Sequence, residues 1–258
     1  KVSLNSHAEK LLRNAPSLLN IGARTSFNWA NSKITTLQQQ MEIPMFGTHP
    51  VELGIKDHED EIIKRLISDS KYKKMLRNVF GRDLSSIRIG GIIDAIAGYV
   101  HSLNSRQSRY DQFLQSRDST LLSDKEWIGL QLFNSDSIEC SACHGGKDFF
   151  EPSRGGEFAN IGLYNCNGSY PISDSGLQME DGDIDYNGVF RIPSLRNIAM
   201  TGPYYHDGSE ESLINILKNY ERQGRMVNFG DCQGDGSQHP LTDGRLQKFK
   251  LTEDQRES

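Results

Sequence analysis

Apolar residues in this chain recur mostly three or four positions apart, the period of one helix face, and no convincing alternation of apolar with polar residues appears. Residues 58–67 place Ile62, Ile63, Leu66 and Ile67 on one face, and residues 70–80 do the same with Tyr72, Met75, Leu76, Val79 and Phe80. The run 87–103 carries Ile89, Ile92, Ile93, Ile96, Val100 and Leu103 at helical period. Ser123-x-x-Glu126 has the spacing of a capping box, in which each side chain satisfies the other residue's backbone N–H, and it opens a helix through Trp127, Leu130 and Phe133. A further helix is expected over 209–222. Residues 151–190 are instead rich in Gly, Asn, Asp and Ser, and so long an irregular stretch is expected to wrap over something. These patterns predict a mainly α chain.

The chain also repeats itself. Pro16-Ser-Leu-Leu-Asn-Ile21 returns as Pro193-Ser-Leu-Arg-Asn-Ile198, and each copy leads into an aromatic cluster and a helix start. After the first copy come Phe27-Asn-Trp29, Ser32 and Leu37; after the second come Tyr204-Tyr-His206, Ser209 and Leu213. Chance accounts for one hexapeptide but poorly for the matched continuation. Two duplicated domains are therefore expected, over residues 1–118 and 119–258.

Composition narrows the setting. The 258 residues fit one large domain or two small ones, and 36% hydrophobic with 24% charged residues is ordinary for a globular protein. A net charge of −5 without basic runs gives no reason to expect nucleic acid. No apolar stretch reaches the roughly 20 residues of a membrane helix. The longest candidate, Ile87 to Leu103, is interrupted by Arg88, Asp94 and His101, so no membrane insertion is expected. Lys1 is not a start methionine, and Thr252-x-x-Gln255 is a pattern that opens a helix, so the chain reads as trimmed at both ends.

The chemistry centres on Cys140-Ser-Ala-Cys143-His144. Two thiols three positions apart reach the two vinyl groups of a haem, and the adjacent His supplies the proximal iron nitrogen, so this is a c-type haem attachment motif. A zinc or redox CxxC is the competing reading, but zinc needs a second ligand pair, and Cys166 and Cys232 are too scattered to supply one. That remaining pair reads equally as a disulfide, given attachment outside the cytoplasm, or as two free thiols. For the sixth iron ligand, Met200, His206, Tyr220 and Met226 remain open; periodicity with Leu213 and Leu217 makes Tyr220 read as a core residue, and Met200 as a buried filler.

Arg191-x-Pro-Ser-Leu-Arg-Asn197, Thr201-Gly-Pro-Tyr-Tyr-His-Asp-Gly208 and the upstream CxxCH, with Arg13-Asn-Ala-Pro-Ser-Leu-Leu-Asn20 and His49-Pro-Val-Glu-Leu-Gly54, resemble the bacterial di-haem cytochrome c peroxidases. That family includes the MauG-like enzymes that oxidise protein tryptophans. The resemblance runs through nearly the whole chain in order. It implies two cytochrome c-like domains related by duplication, the first lacking its N-terminal haem-binding segment in this chain. One haem c would be attached here and a second on the missing segment. The resemblance further implies His144 as the proximal ligand and Tyr220 as the distal ligand, where ordinary peroxidases have Met and the MauG-like branch has Tyr. Arg191 and Arg196 would contact the cofactor. Trp29 would mediate electron exchange between the haems, and Glu52 would be the distal carboxylate beside bound peroxide. Asn14, with the carbonyls of Thr201 and Pro203, would hold calcium.

The function implied is a periplasmic oxidoreductase that uses hydrogen peroxide to reach a high-valent di-haem state. It would then oxidise a partner protein, as MauG-like enzymes oxidise tryptophan, or draw on a small cytochrome or cupredoxin; the resemblance also allows a homodimer. The alternative is a mono-haem electron carrier without peroxidase activity, favoured if the first haem is truly lost.

Overall fold

The computed structural model describes residues 3–258. In the first half, helices α1 (Leu37–Phe46), α2 (Glu59–Ser68), α3 (Ser70–Phe80), α4 (Ile89–Ser102) and α5 (Arg109–Ser116) follow one another, with the loop 47–58 between α1 and α2. α1 starts at a capping box between Thr36 and Gln39, and α5 at one between Ser108 and Asp111. Asp69 divides α2 from α3, its carboxylate accepting from the backbone N–H groups of Lys71 and Tyr72. Two apolar clusters hold these helices. Ile21, Phe27, Leu37, Ala97 and Val100 pack α1 on α4, while Leu76, Leu84 and Ile87 gather Ile63, Leu66, Ile67, Phe80 and Ile92 from α2, α3 and α4.

The second half is tied together more by loops. It contains α6 (Asp124–Phe133), α7 (Cys140–Cys143), α8 (Gln178–Asp181), α9 (Leu213–Glu221) and α10 (Glu253–Arg256). The expected Ser123–Glu126 and Thr252–Gln255 capping boxes are both formed. The helix expected over 209–222 is shorter, because Ser212 accepts from the backbone N–H of Asn215 and so starts α9 at Leu213. Two antiparallel ladders, β1 (Phe158–Ala159) with β2 (Phe190–Arg191) and β3 (Met226–Val227) with β4 (Gly234–Asp235), were not expected. Strands of two residues are too short to carry an alternation.

The stretch 151–190 does wrap, and it wraps around its own polar core. Tyr170 Oη accepts from the Leu163 N–H and donates to Asn160 Oδ1, and Asn187 Oδ1 accepts from the Tyr170 N–H. Asn160, Tyr170 and Asn187 are all buried. Gly188, at φ 75°, lies so close to the Tyr170 ring that a Cβ would collide with it. Cys166 and Cys232 form a disulfide across 66 residues, deciding between the two readings left open above.

Two expectations about burial fail. On α3 only Leu76 is buried, while Tyr72, Met75 and Val79 are 49%, 53% and 69% exposed, because the packed seam runs through Leu76 and Phe80 and no described residue covers the adjacent stripe. Met200 is 86% exposed and is no core filler.

The halves meet along the repeat. Asn20 and Asn197, equivalent positions in the two copies, both adopt left-handed backbone (φ 54° and 56°), and each opens a 3-10 turn, Ile21–Ala23 and Ile198–Met200. Ala30 packs with Leu163, Tyr170 and Phe190 in a third cluster, with Trp29 against it. The Arg13 guanidinium donates to both carboxylate oxygens of Asp174 (2.8 and 2.9 Å), and Asn20 Nδ2 donates to the fully buried Asp148 (2.8 Å).

Candidate functional site

The motif Cys140-Ser-Ala-Cys143-His144 forms one helical turn. α7 begins at Glu139, whose left-handed backbone (φ 55°) turns the chain into it, and ends at His144. Residues three apart lie on one helix face. Both thiols are free and both line a cavity of about 810 Å³, within the ~300–1,000 Å³ span of cofactor pockets. Burial pushes the Cys140 thiol up to about 11 and raises that of Cys143 as well. That is opposite to the depressed values that make redox-active or zinc-type thiolates. Among the described residues no group of three or more His, Cys, Asp or Glu could hold a metal ion.

His144 is fixed from behind. Its Nδ1 faces the carbonyl oxygens of Pro193 (3.1 Å) and Phe149 (3.3 Å), which both require an N–H there and leave Nε2 as the free lone pair. Burial lowers its pKa to about 4, so the ring is neutral. The two carbonyls are themselves positioned. Phe149 holds left-handed backbone at φ 55°, and Ser194 Oγ donates to the Asp148 carbonyl (2.6 Å), joining the Phe149 loop to the segment after Pro193. The Asp148 carboxylate receives Asn20 Nδ2 and Arg106 Nη2 (2.8 and 2.9 Å).

Tyr220, on α9, lines the same cavity. Burial raises its pKa. Of the other candidates for a sixth ligand, Met200 and Met226 do not line the cavity. His206 does, but its ring is stacked on Phe190 at 3.6 Å. The face of α9 that reads in sequence as a core stripe, Leu213, Leu217 and Tyr220, is instead a cavity wall.

The remaining expected residues divide. Trp29, Asn14, Arg191, Thr201 and Pro203 all line the cavity. Trp29 Nε1 donates to the Asn14 carbonyl (2.7 Å), and the Arg191 guanidinium lies over its ring (5.4 Å). Arg191 Nε donates to the Asn28 carbonyl, and burial lowers its pKa to about 10. Asn14 Nδ2 donates to the Pro203 carbonyl (2.6 Å); turning the amide over would present Oδ1 instead. Arg196 is not on the cavity: it forms a two-pronged pair with Asp111 (2.8 and 2.6 Å) and donates to the Lys147 carbonyl. Glu52 is also elsewhere, on the loop before α2, where partial burial raises its pKa.

Sequence reasoning missed Arg24 and Arg245, which also line the cavity. Arg24 Nη1 donates to the Ile192 carbonyl and its guanidinium lies 4.0 Å over Phe150, while its Nη2 is buried with no partner. A buried, unsatisfied cationic donor is costly, and a carboxylate such as a haem propionate would satisfy it. With two thiols, a free imidazole nitrogen and a guanidinium whose Nη2 has no partner on one cavity, the residues fit a covalently attached haem. Nothing around Arg24 in the sequence carries a recognisable signal, since its role comes from a contact with residues 150 and 192.

Comparisons with known proteins place the chain among relatives of one family. Residues 1–119 match the sequence pattern of the family described as di-haem cytochrome c peroxidase. The chain is similar to the methylamine utilization protein MauG of Methylophilus methylotrophus, 27% identical over 214 residues that cover 82% of this chain and 58% of that protein. It is similar to the cytochrome c peroxidase Ccp of Escherichia coli, 30% identical over 208 residues, 80% of this chain and 42% of that one. Among solved structures, a MauG-like protein associated with microbial copper homeostasis superposes with a TM-score of 0.90 at 37% identity, covering 99% of this chain and 75% of that one. The chain thus spans somewhat more than half the length of the curated MauG relatives it matches.

Proposed function

The chain belongs to the di-haem cytochrome c peroxidase family, and from that premise we propose that the intact protein is a periplasmic, peroxide-using oxidoreductase of the MauG-like branch. The observation that carries this reading is that Tyr220 lines one cavity with His144, Cys140 and Cys143. The haem, once bound, supplies one-electron chemistry at iron. Cys140 and Cys143 would tether it, and His144 Nε2 would be the nitrogen free to ligate its iron, since the Phe149 and Pro193 carbonyls hold Nδ1. Tyr220 supplies a phenolate oxygen, which favours the oxidised metal more than a thioether does. Arg24 and Arg191 bring positive charge to its carboxylates.

On this reading a second haem c would be held outside the described residues, and Glu52 would serve that site as the carboxyl that takes and returns a proton. A raised pKa suits a carboxyl that must both take and return a proton. Trp29, between the halves, passes electrons. With its amide turned over, Asn14 Oδ1 would join the Thr201 and Pro203 carbonyls in an all-oxygen calcium site. The Cys166–Cys232 disulfide suits an oxidising compartment. The partner is a protein offering an oxidisable tryptophan, or a small cytochrome or cupredoxin, and the copper-associated neighbour makes a partner in copper handling the first to try.

The test starts with the full-length protein. Two haems by mass and pyridine haemochrome, with a peroxide-induced optical change, support the reading; a single haem without response to peroxide would mean an electron carrier. Tyr220→Phe should change the optical spectrum and potential of the haem on His144, and an unaltered spectrum removes Tyr220 as a ligand.

A further inference from the structure

Tyr164 lies outside the cavity and has no part in the site described above, yet its hydrogen bonding differs from that of every other tyrosine near it. Its Oη donates to Asp207 Oδ2 at 2.6 Å. Tyr170 Oη donates to an amide oxygen, and Tyr205 Oη accepts from Asn219 Nδ2 (3.1 Å). Among the described hydrogen bonds, Tyr164 is the one tyrosine with a carboxylate as acceptor.

A packed path leads to it from the cavity. Tyr220 and Tyr205 both line the haem cavity, and with Arg225 they also border a small adjoining void. The Arg225 guanidinium lies over both the Tyr205 ring (5.8 Å) and the Tyr164 ring (4.6 Å). Tyr164 is half-buried, at the outer end of this path. Tyr205, at its inner end, holds left-handed backbone at φ 68°, which a bulky residue adopts only where its surroundings impose it.

The chemistry of phenols gives the arrangement its meaning. Burial raises the pKa of Tyr164, so it is a neutral phenol at working pH. A neutral phenol is hard to oxidise unless its proton leaves with the electron, and for that a base must already be in contact. Asp207 is such a base: burial works against its ionisation, but His206 and the hydrogen bonds from Tyr164 and Ser209 hold its pKa below the ordinary carboxylate range.

We propose that Tyr164 and Asp207 form a proton-coupled redox station, the outward end of an oxidation path running from the haem cavity past Tyr205 and Arg225 toward the surface. One electron leaves the Tyr164 ring for the peroxide-oxidised haem, which is reduced by it. The Oη–H bond breaks and the proton passes to Asp207 Oδ2, leaving a neutral phenoxyl. An electron from an external donor restores the phenol as Asp207 returns the proton. The inference rests on the proposed peroxide chemistry for its oxidant, and on geometry alone for its place.

The full-length, haem-loaded protein is mixed with hydrogen peroxide, frozen within the lifetime of the optical change, and examined by electron paramagnetic resonance. A tyrosyl signal is expected in wild type, narrowed by ring-deuterated tyrosine and lost in Tyr164→Phe. Asp207→Asn should leave the peroxide-induced haem spectrum intact but slow the appearance of the signal by about a hundredfold, the lower end of what a positioned base contributes. If the haem spectrum responds and the signal persists unchanged in Tyr164→Phe, the station is wrong while the peroxidase reading stands. Should the haem ignore peroxide, that reading falls. The station is then tested with flash-generated ruthenium(III) tris(bipyridine), where loss of the signal in Tyr164→Phe supports it and an unchanged signal overturns it.

Discussion

The two copies of Pro-Ser-Leu-x-Asn-Ile share a backbone and differ in almost everything that surrounds it. Asn20 and Asn197 take the same left-handed conformation and open the same short 3-10 turn. Asn, whose short polar side chain tolerates that region, is the local cause in both. In the first copy, however, Asn20 is 1% exposed and bonds Asp148 and Ser105, and Ile21 sits in the α1–α4 core. In the second, Asn197 is exposed and Ile198 lines the cavity. Leu19 of the first copy has Arg196 as its counterpart, a residue committed to the Asp111 ion pair. Asn14 ties the two following turns together, its N–H donating to the His206 carbonyl and its carbonyl accepting from Trp29. The first copy therefore lines the cavity with Pro16, Ser17 and Leu19 and also closes a core with Ile21, whereas the second lines the cavity with Pro193, Ser194, Leu195 and Ile198 and joins no apolar core cluster.

That contrast can be broken at several strengths. The largest effect should come from Cys140→Ala with Cys143→Ala, which on the proposed reading removes the covalent haem of this cavity, as mass spectrometry would read directly in the loss of one haem's mass. Hydrogen exchange should then quicken around α7 and α9, whose packing faces the cavity, and stay slow in the Ile21–Phe27–Leu37 cluster. Equal loosening of both would mean that the copies share one cooperative unit.

Asn20→Ala should cost about 3 kcal/mol, combining left-handed strain of roughly 1–2 with about 1–3 for leaving buried partners unsatisfied. Asn197→Ala should show only the strain, about 1 kcal/mol. Asn20→Gly separates the two parts, since it keeps the backbone and loses the amide. Denaturant midpoints decide, and similar costs for Asn20→Ala and Asn197→Ala would show that burial of the first copy contributes little.

Acid should act on the second copy more than the first. Hydrogen bonds from Arg196 hold the buried Asp111 at about 2, below the ~3.9 of an unfolded aspartate. A depressed carboxylate stabilises the fold fully above the unfolded value, and this is lost as pH falls from about 4 to about 2, a span of roughly 2 kcal/mol. Replacing the pair together, Asp111→Leu with Arg196→Met, should flatten that limb of the stability curve. An unchanged limb would assign acid sensitivity elsewhere.

The smallest change, Trp29→Phe, removes one hydrogen bond to the Asn14 carbonyl and should cost about 1 kcal/mol. It should leave haem content unaffected. If Trp29 carries electrons between haems, sharing of the oxidising equivalents fails in this variant while folding persists.

What the sequence determined alone was whatever depends on near neighbours. Helical period placed α2, α3 and α4 within a residue or two, and the boxes at Ser123 and Thr252 opened helices where their spacing required. CxxCH is equally local: two thiols and an imidazole on one turn define their ligand without outside help. The tertiary structure decided everything that needs two distant segments. It turned the Tyr220 face of α9 from apparent core into cavity wall, joined Cys166 to Cys232, and left Arg24 Nη2 unpaired beside residues more than a hundred positions away. It set Arg196 against Asp111 and off the cavity wall. It exposed Val79, whose period is that of a buried face, because period fixes which residues share a side of a helix and not whether another element covers that side.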